Sequence, residues 1–496
     1  MSHHALDPEA QPNHQRRPTE ASRDRSSTGT GRRSGFVGSK LAICLLIVSL
    51  AAPRGQAQNF CTGQELVNEG DVEGQQVNPT ISCHSTSELA ALPPDTPPCT
   101  VGYSNYTSTG GFDPSYFRHR GVDTGGELRP LLVVPTTIDQ YQNQNAAVLA
   151  TLLLGPAAPT LIAALEVYET GSTNADALLW EGGNEFTGMF TAGQQQDPTC
   201  AAYRGLDVGV CAYASSEAPS ATVIQGALLC QPFARDAQGD LELGPAGLCS
   251  DQCDAPTANP DIALCTPDGG SPVGMAVWES SGCSAGDDDD GFSVQGRVLG
   301  ADGTPTGTQF QINQASEGFQ WKPSVAPQAD CSGFLVTWEN WALGGGDPGE
   351  IVARYYDVDG TPQGDELSVS APDGLFHTGP AITVLDDGDG DGDWVVSWVR
   401  LEPTFNRGDV VARRIAGNGG GLGQTFEVTS DFYPSDVPEA VDIASHGDDY
   451  VVAWQGSGCQ NGDCSGSSIQ MRGTFGCLFA DGFESGDDTG WSATSP

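Results

Sequence analysis

The chain has 496 residues, 64 acidic against 21 basic side chains, and a formal charge of −43. Its length exceeds what one ordinary core absorbs, and its charge repels nucleic acid and anionic lipid, so neither is expected as a partner. With 65 Gly, 33 Pro and only two Lys, Lys40 and Lys322, the composition suits short strands joined by turns and disfavours long charged helices.

Residues 1–57 read as a signal peptide with a long n-region. An Arg-rich stretch and Lys40 precede an apolar run from Leu41 to Ala52, and Gly55-Gln56-Ala57 offers small residues for cleavage. Twelve apolar residues are too few to span a bilayer, so no integral membrane span is expected. The segment predicts export by the general secretory route to the cell surface or beyond. Its loss removes Cys44 and leaves 14 cysteines, an even number suited to disulfides in an oxidising compartment. Cys459 and Cys464 bracket a four-residue loop and form the simplest local pair. Cys249-x-x-x-Cys253 also has zinc-ligand spacing, a reading that export disfavours.

Residues 58–115 carry Pro93-Pro94, Pro97-Pro98 and three cysteines, which predicts an irregular segment pinned by disulfides. Residues 116–198 are more apolar. Turn signals at Gly155-Pro156 and Gly171 to Asn174 favour a small β-rich region or opening blades over a helix across 139–154.

From 199 to 476 a repeat of about 58 residues dominates. Strands ending in Trp278, Trp338, Trp398 and Trp454 are spaced by 60, 60 and 56 residues. After each comes a polar loop and a strand carrying Arg297, Arg354, Arg413 or Arg472, spaced by 57, 59 and 59. Asp302-Gly303 and Asp359-Gly360 mark tight hairpins. An alternating strand follows, and Pro323, Pro380 or Pro438 is expected to open the next unit. A weaker copy has Leu206 to Cys211 in place of the Trp strand and Ile224 to Cys230 in place of the Arg strand.

Four short alternating strands cannot bury both faces alone, and stacking such sheets around an axis solves this. The fold class is therefore all-β, a β-propeller of five or more four-stranded blades preceded by a smaller, mostly β N-terminal region. The last copy stops after Phe475 and lacks its fourth strand, so residues near the N-terminus are expected to complete it. Trp is expected to fill the space between blades and Arg to pair with acidic loops.

The strand-Trp, loop, strand-Arg, Asp-Gly turn pattern resembles Trp-containing repeats of proteins secreted by Gram-negative bacteria. The tail at 477–496, Leu478-Phe-Ala-Asp-Gly-Phe-Glu-Ser-Gly486 through Trp491, resembles a short C-terminal segment of exported proteins from the same source. The resemblance implies architecture and compartment and carries over no catalytic residue.

Asp387, Asp389 and Asp391 alternate with glycines in a hairpin loop, a pattern of oxygen ligands suited to calcium; the twelfth position is Trp398, which excludes an EF-hand. Gly282-Cys-Ser284-Ala-Gly286 matches a nucleophile elbow in letters, but four aspartates follow where a helix is required. No catalytic set is recognisable. The sequence thus favours a secreted or surface binding module, without catalytic activity, that takes a protein or glycan ligand through its loops. The alternative is a glycoside hydrolase or lyase using carboxylates at the propeller's axis; two or three carboxylates converging with an Arg in one axial pocket would favour it, and an axial channel plugged by side chains would favour binding.

Overall fold

The structure, a computed structural model, describes residues 64–475 apart from isolated positions and the segments 69–74, 107–114, 134–140, 151–160, 170–174, 182–184, 189–193, 217–225, 252–255, 282–290, 342–348, 387–391, 418–420, 430–436 and 457–466. The expected signal peptide, the C-terminal tail, the Asp387, Asp389 and Asp391 loop, the Gly282 to Gly286 motif and the proposed Cys459/Cys464 pair lie outside the described residues.

Among the described residues, seven antiparallel sheets of four strands follow one another along the chain, one of them with a short fifth strand. Their innermost strands are Gln75–Cys83, Tyr141–Ala150, Gln195–Ala202, Thr257–Cys265, Phe319–Pro327, Phe376–Val384 and Pro438–His446. Each touches the next in that order and the last touches the first, closing a ring. The protein is a β-propeller, and its sheets are numbered below as blades one to seven. The one helix among the described residues, Thr86–Ala91, sits within blade one, its first turn closed by reciprocal bonds between Ser85 and Glu88.

The ring is sealed as expected. Glu65–Leu66 pairs with the last strand, Glu65 opposite Met471 and Leu66 opposite Gln470, and supplies the outer strand that blade seven lacks. Val67 N–H donates to Ile469 O (2.8 Å), and Asn68 Oδ1 accepts from Ile469 N–H (3.0 Å).

Of the two readings of residues 116–198, opening blades is the one the strands follow, and the irregular segment expected over 58–115 is corrected, since Gln75–Cys83 and Cys99–Tyr106 are regular strands. Residues 75–133 form blade one and 141–188 form blade two, each a complete four-stranded sheet. The position of the repeated Trp is taken by Tyr103 in blade one and Tyr213 in blade three, both fully buried. A phenol fills the space an indole fills elsewhere, so a search for Trp passes over blade one and finds blade three only as a weak copy. The weak copy is therefore real but misregistered: its second strand is Val208–Ser215 and its third Ala227–Arg235, with Gln231 at the Arg position.

The four repeated indoles are at most 1% exposed. Each packs against the preceding blade, as Trp338 does on Ala263, Met275, Val277 and Val294. The repeated Arg side chains lie on the same face, and their closest partners are backbone carbonyls; the expected pairing with an acidic loop is seen at Arg297, whose Nη1 lies 3.8 Å from Asp251 Oδ1. Arg354 Nε donates to Gly364 O in the bend before its own outer strand (2.9 Å) and Nη1 to Ile312 O of blade four (3.3 Å). Arg413 and Arg472 reach Val369 O (2.6 Å) and Val428 O (2.8 Å) in the same way, and Arg297 reaches Cys249 O (3.0 Å). A guanidinium with several donors in a fixed fork can bridge two strands' carbonyls at once, which a carboxylate loop would forfeit.

The Asp-Gly hairpins need glycine twice over. Gly303 and Gly360 have φ of +75° and +79°, and a Cβ there would lie 2.4 Å from Val210 Cγ2 and 2.6 Å from Phe310 Cε1 of the preceding blade.

Four disulfides are described: Cys83–Cys99, Cys200–Cys211, Cys230–Cys249 and Cys265–Cys331. The first two join directly opposed residues of neighbouring strands. The last fastens the innermost strand of blade four to blade five. Bonded to Cys230, Cys249 is no zinc thiolate.

Candidate active site at the axial mouth

The prolines expected to open each unit do so only in blade seven. In blades five and six they sit inside the innermost strand, at a bulge that places two residues opposite one. Such a strand is an edge, where a missing N–H is tolerated. The residue before the proline takes a left-handed conformation: Asn78 (φ +53°), Asp197 (+50°), Asn259 (+46°), Lys322 (+46°) and Gly379 (+61°). Its N–H then points out of the ladder and needs an acceptor.

Acidic and amide side chains of the preceding blade supply most of them. Glu166 Oε2 accepts from Asp197 N–H (2.8 Å), Glu279 Oε2 from Lys322 N–H (3.1 Å), Glu339 Oε1 from Gly379 N–H (2.6 Å) and Gln455 Oε1 from Asn78 N–H (3.1 Å). Asp197 itself accepts from the Asn259 backbone. Glu166, Glu279 and Glu339 are at most 5% exposed, so buried carboxylates of blades two, four and five, with Asp197 of blade three, line one side of the end of the axis at which the innermost strands begin. Lys322 Nζ lies 3.0 Å from Glu339 Oε1 and 3.1 Å from Thr378 Oγ1, and Trp341 Nε1 donates to Glu339 Oε2 (3.0 Å).

Burial pushes the Asp197 carboxyl up to about 6; the negative charges of Glu166 and Glu279 add to this, and the Asn259 N–H opposes it. Three carboxylates from three successive blades thus interact at one place. Asp197 keeps partial exposure, so solvent and a small group reach it.

Further along the channel, Asp261 accepts from Ser324 Oγ and Val325 N–H of blade five (both 2.9 Å) and from Ile262 N–H (2.8 Å). Asp442 accepts from Ile81 N–H of blade one and from Ile443 N–H (both 2.8 Å). Each clamps its innermost strand to the next. Burial raises Asp261 to about 6 and Asp442 to about 7, against these hydrogen bonds, and Asp261 raises Asp442 further. The two stand in blades four and seven, so their coupling crosses the axis. As residues both remain partly exposed.

A folded protein that binds these protons more tightly than the unfolded chain, whose aspartates titrate near 4, loses stability as pH rises from about 4 to about 7. We expect a lower urea midpoint at pH 8 than at pH 5, and a shallower fall for Asp442→Asn. An unaltered slope in that variant would assign the effect to the surface charge.

A second charged group lies on the same face in blade six. Arg400 Nε donates to Asp409 Oδ1 (2.9 Å) and Nη2 pairs with Asp409 Oδ2; Asp373 and Glu427 approach at 3.8 and 3.7 Å. His377 Nδ1 accepts from Trp398 Nε1 (2.9 Å), so its other nitrogen donates to Asp373 Oδ1 (3.1 Å). Burial lowers the His377 pKa more than Asp373 raises it, which keeps the ring neutral.

Sequence reasoning singled out none of the carboxylates at this mouth. The signal was present: Glu279, Glu339 and Gln455 each follow a repeated Trp, and Asp197, Asn259, Lys322 and Gly379 each precede a proline. Among the described residues no group of three or more acidic, His or Cys side chains has the closeness a metal requires, and no helix is long and apolar enough to cross a membrane.

No family model and no curated protein matches the chain. Solved structures do resemble it in fold. An α-L-arabinofuranosidase of Fusarium graminearum is 14% identical, with 68% of this chain and 95% of that one covered and a TM-score of 0.40. A Penicillium chrysogenum α-L-arabinanase gives 12%, 63%, 89% and 0.39, and the Streptococcus pneumoniae NanB sialidase 9%, 84%, 70% and 0.42. The expected binding module without catalytic activity is corrected accordingly. Buried carboxylates of neighbouring blades gather at one axial mouth, with Lys322 rather than the expected Arg among them, and the three solved structures named above are of glycosidases. At these identities the likeness bears on fold alone: the chain is similar to propeller proteins, and its chemistry has to be argued from its own residues.

Proposed function

We propose that the protein is an exported carbohydrate-active hydrolase that cleaves a glycosidic bond at the axial mouth. The observation that carries this reading is Asp197, a solvent-reached carboxyl that holds its proton to about pH 6 beside Glu166 and Glu279. Glycoside hydrolysis needs one carboxylic acid to protonate the departing oxygen and a second carboxylate to activate water or attack the sugar. Asp197 takes the first role and Glu279, from the adjoining blade, the second. Water supplies the hydroxyl, and the leaving sugar departs with the donated proton.

The leader segment and the described disulfides support export to an oxidising space. The test is release of reducing ends from neutral and acidic oligosaccharides by the purified, disulfide-intact protein. Turnover that tracks protonation near pH 6 supports the reading, and no release from any of them overturns it.

The Asp387, Asp389 and Asp391 loop remains our proposal for calcium. If the ion binds there, chelation lowers the melting temperature and Asp389→Asn removes most of that shift; a melt indifferent to chelator removes the ion from the account.

A further inference from the structure

A run of aromatic rings leads outward from the ring of carboxylates. Trp341, tied to Glu339 through its indole N–H, stacks on Phe376 at 5.6 Å between centroids and 30° between planes. Phe376 in turn meets Phe405 at 4.6 Å and 33°. Phe405 is 51% exposed, one of two large apolar side chains so exposed among the described residues. It holds φ of +54° in a turn closed by its N–H on Glu402 O (2.8 Å). A bulky residue in the left-handed region is costly, and such strain persists where the surroundings enforce it. Nothing in folding alone calls for an exposed phenyl ring there, since a glycine would satisfy the turn and relieve the strain. Next to this run, Trp321 stacks on Phe292 (5.6 Å, 21°) and touches Phe319 (5.3 Å) on the same face.

We propose that the Trp341, Phe376 and Phe405 run is a binding track for a neutral polysaccharide chain, whose successive sugar units lie along it as the chain enters the mouth. This rests on the hydrolase reading for what happens at the mouth, though not for the binding itself. Flat rings flanked by polar groups match the mixed apolar faces and hydroxyl edges of pyranose and furanose units. The placement of the run points to a polymer, because Asp197 stands in blade three whereas the rings stand in blades five and six. Charge points to a neutral one. The cations at this face are engaged, Lys322 by Glu339, Arg400 by Asp409, Asp373 and Glu427, and Arg407 is not free. No unspent cation among them would receive a uronate or sialate carboxylate, and the chain's own excess of acid repels such polymers.

The test uses affinity electrophoresis of the full mature protein in gels containing arabinan, xylan, galactomannan or polygalacturonate, with a protein-only gel as reference. At least one neutral polysaccharide should retard the wild type and polygalacturonate should not. Phe405→Ala should weaken retardation about tenfold with its melting temperature unchanged, and Phe405→Tyr should restore it. Retardation by polygalacturonate alone, by none of the four, or to the same extent in Phe405→Ala overturns the track. Retention without release of reducing ends would remove the hydrolase and leave the track standing. Cleavage of small aryl glycosides without polymer retention would do the reverse.

Discussion

Replacing Asp197 by Asn should lower turnover by a factor of about 10² to 10⁴, the range that a positioned general acid contributes. The substitution removes the proton and leaves the rest nearly as it was. An amide oxygen still accepts from the Asn259 N–H, and the Asp197 N–H still reaches Glu166. The melting temperature should hold or rise, because a carboxyl destabilised by two neighbouring negative charges has become neutral. The loss should be greatest for substrates with poor leaving groups, and an activated aryl glycoside that needs no protonation should recover much of it. Circular dichroism with a residual-activity assay on both substrate types checks this. Undiminished turnover on an unactivated substrate would take Asp197 out of the reaction.

The second large effect is on stability. Trp338 is fully buried between blades four and five, and no hydrogen-bond partner takes its indole N–H. Its contribution is therefore packing. Trp338→Ala should cost about 3–5 kcal/mol in a denaturant titration, the usual price of emptying a large aromatic site. Trp398→Ala should cost at least as much, since it also strands His377 Nδ1. A change near zero for Trp338 would mean that the interface closes over the gap, and the repeat would lose its structural role.

The architecture was legible because the repeat writes the same physical demand at a fixed period. Each sheet must cover its neighbour, and a large flat side chain at one strand position does this, so Trp recurs where the space recurs. The first blade escaped notice, and the third was read only as a weak copy, because the demand is for volume, which Tyr103 and Tyr213 also meet. The closing strand was legible from an unfinished last unit. The arginines were read at the right place and with part of their partners: an excess of acid in the sequence suggested carboxylates, which only Arg297 meets, at Asp251, whereas the closest groups to all four are carbonyls.

The mouth was hard to read for a different reason. Its carboxylates come from separate blades, at positions that vary from Glu to Gln, Val or Ala around the ring, and only the bulge brings them to the axis. A proline in a strand reads as a boundary. Here it marks the place where a strand bends and turns an N–H toward the channel, and the pairing of that N–H with a carboxylate one blade earlier is a tertiary fact. The proton held by Asp197 depends on burial and on two neighbours about thirty and eighty residues away, which local pattern does not express.

The junction of Glu65–Leu66 with the final strand also governs how the molecule can come into being. A chain threading outward presents its first strand early and its last one late, so that short piece must wait, unpaired, while six sheets assemble behind it. Contacts between residues some four hundred apart carry a steep entropic toll and form slowly. Until they do, blade seven has a bare flank and the circle stands open. Any cut that frees the sixty-fifth and sixty-sixth residues from the body would return the mature protein to that same gaping state, even with every other sheet in place.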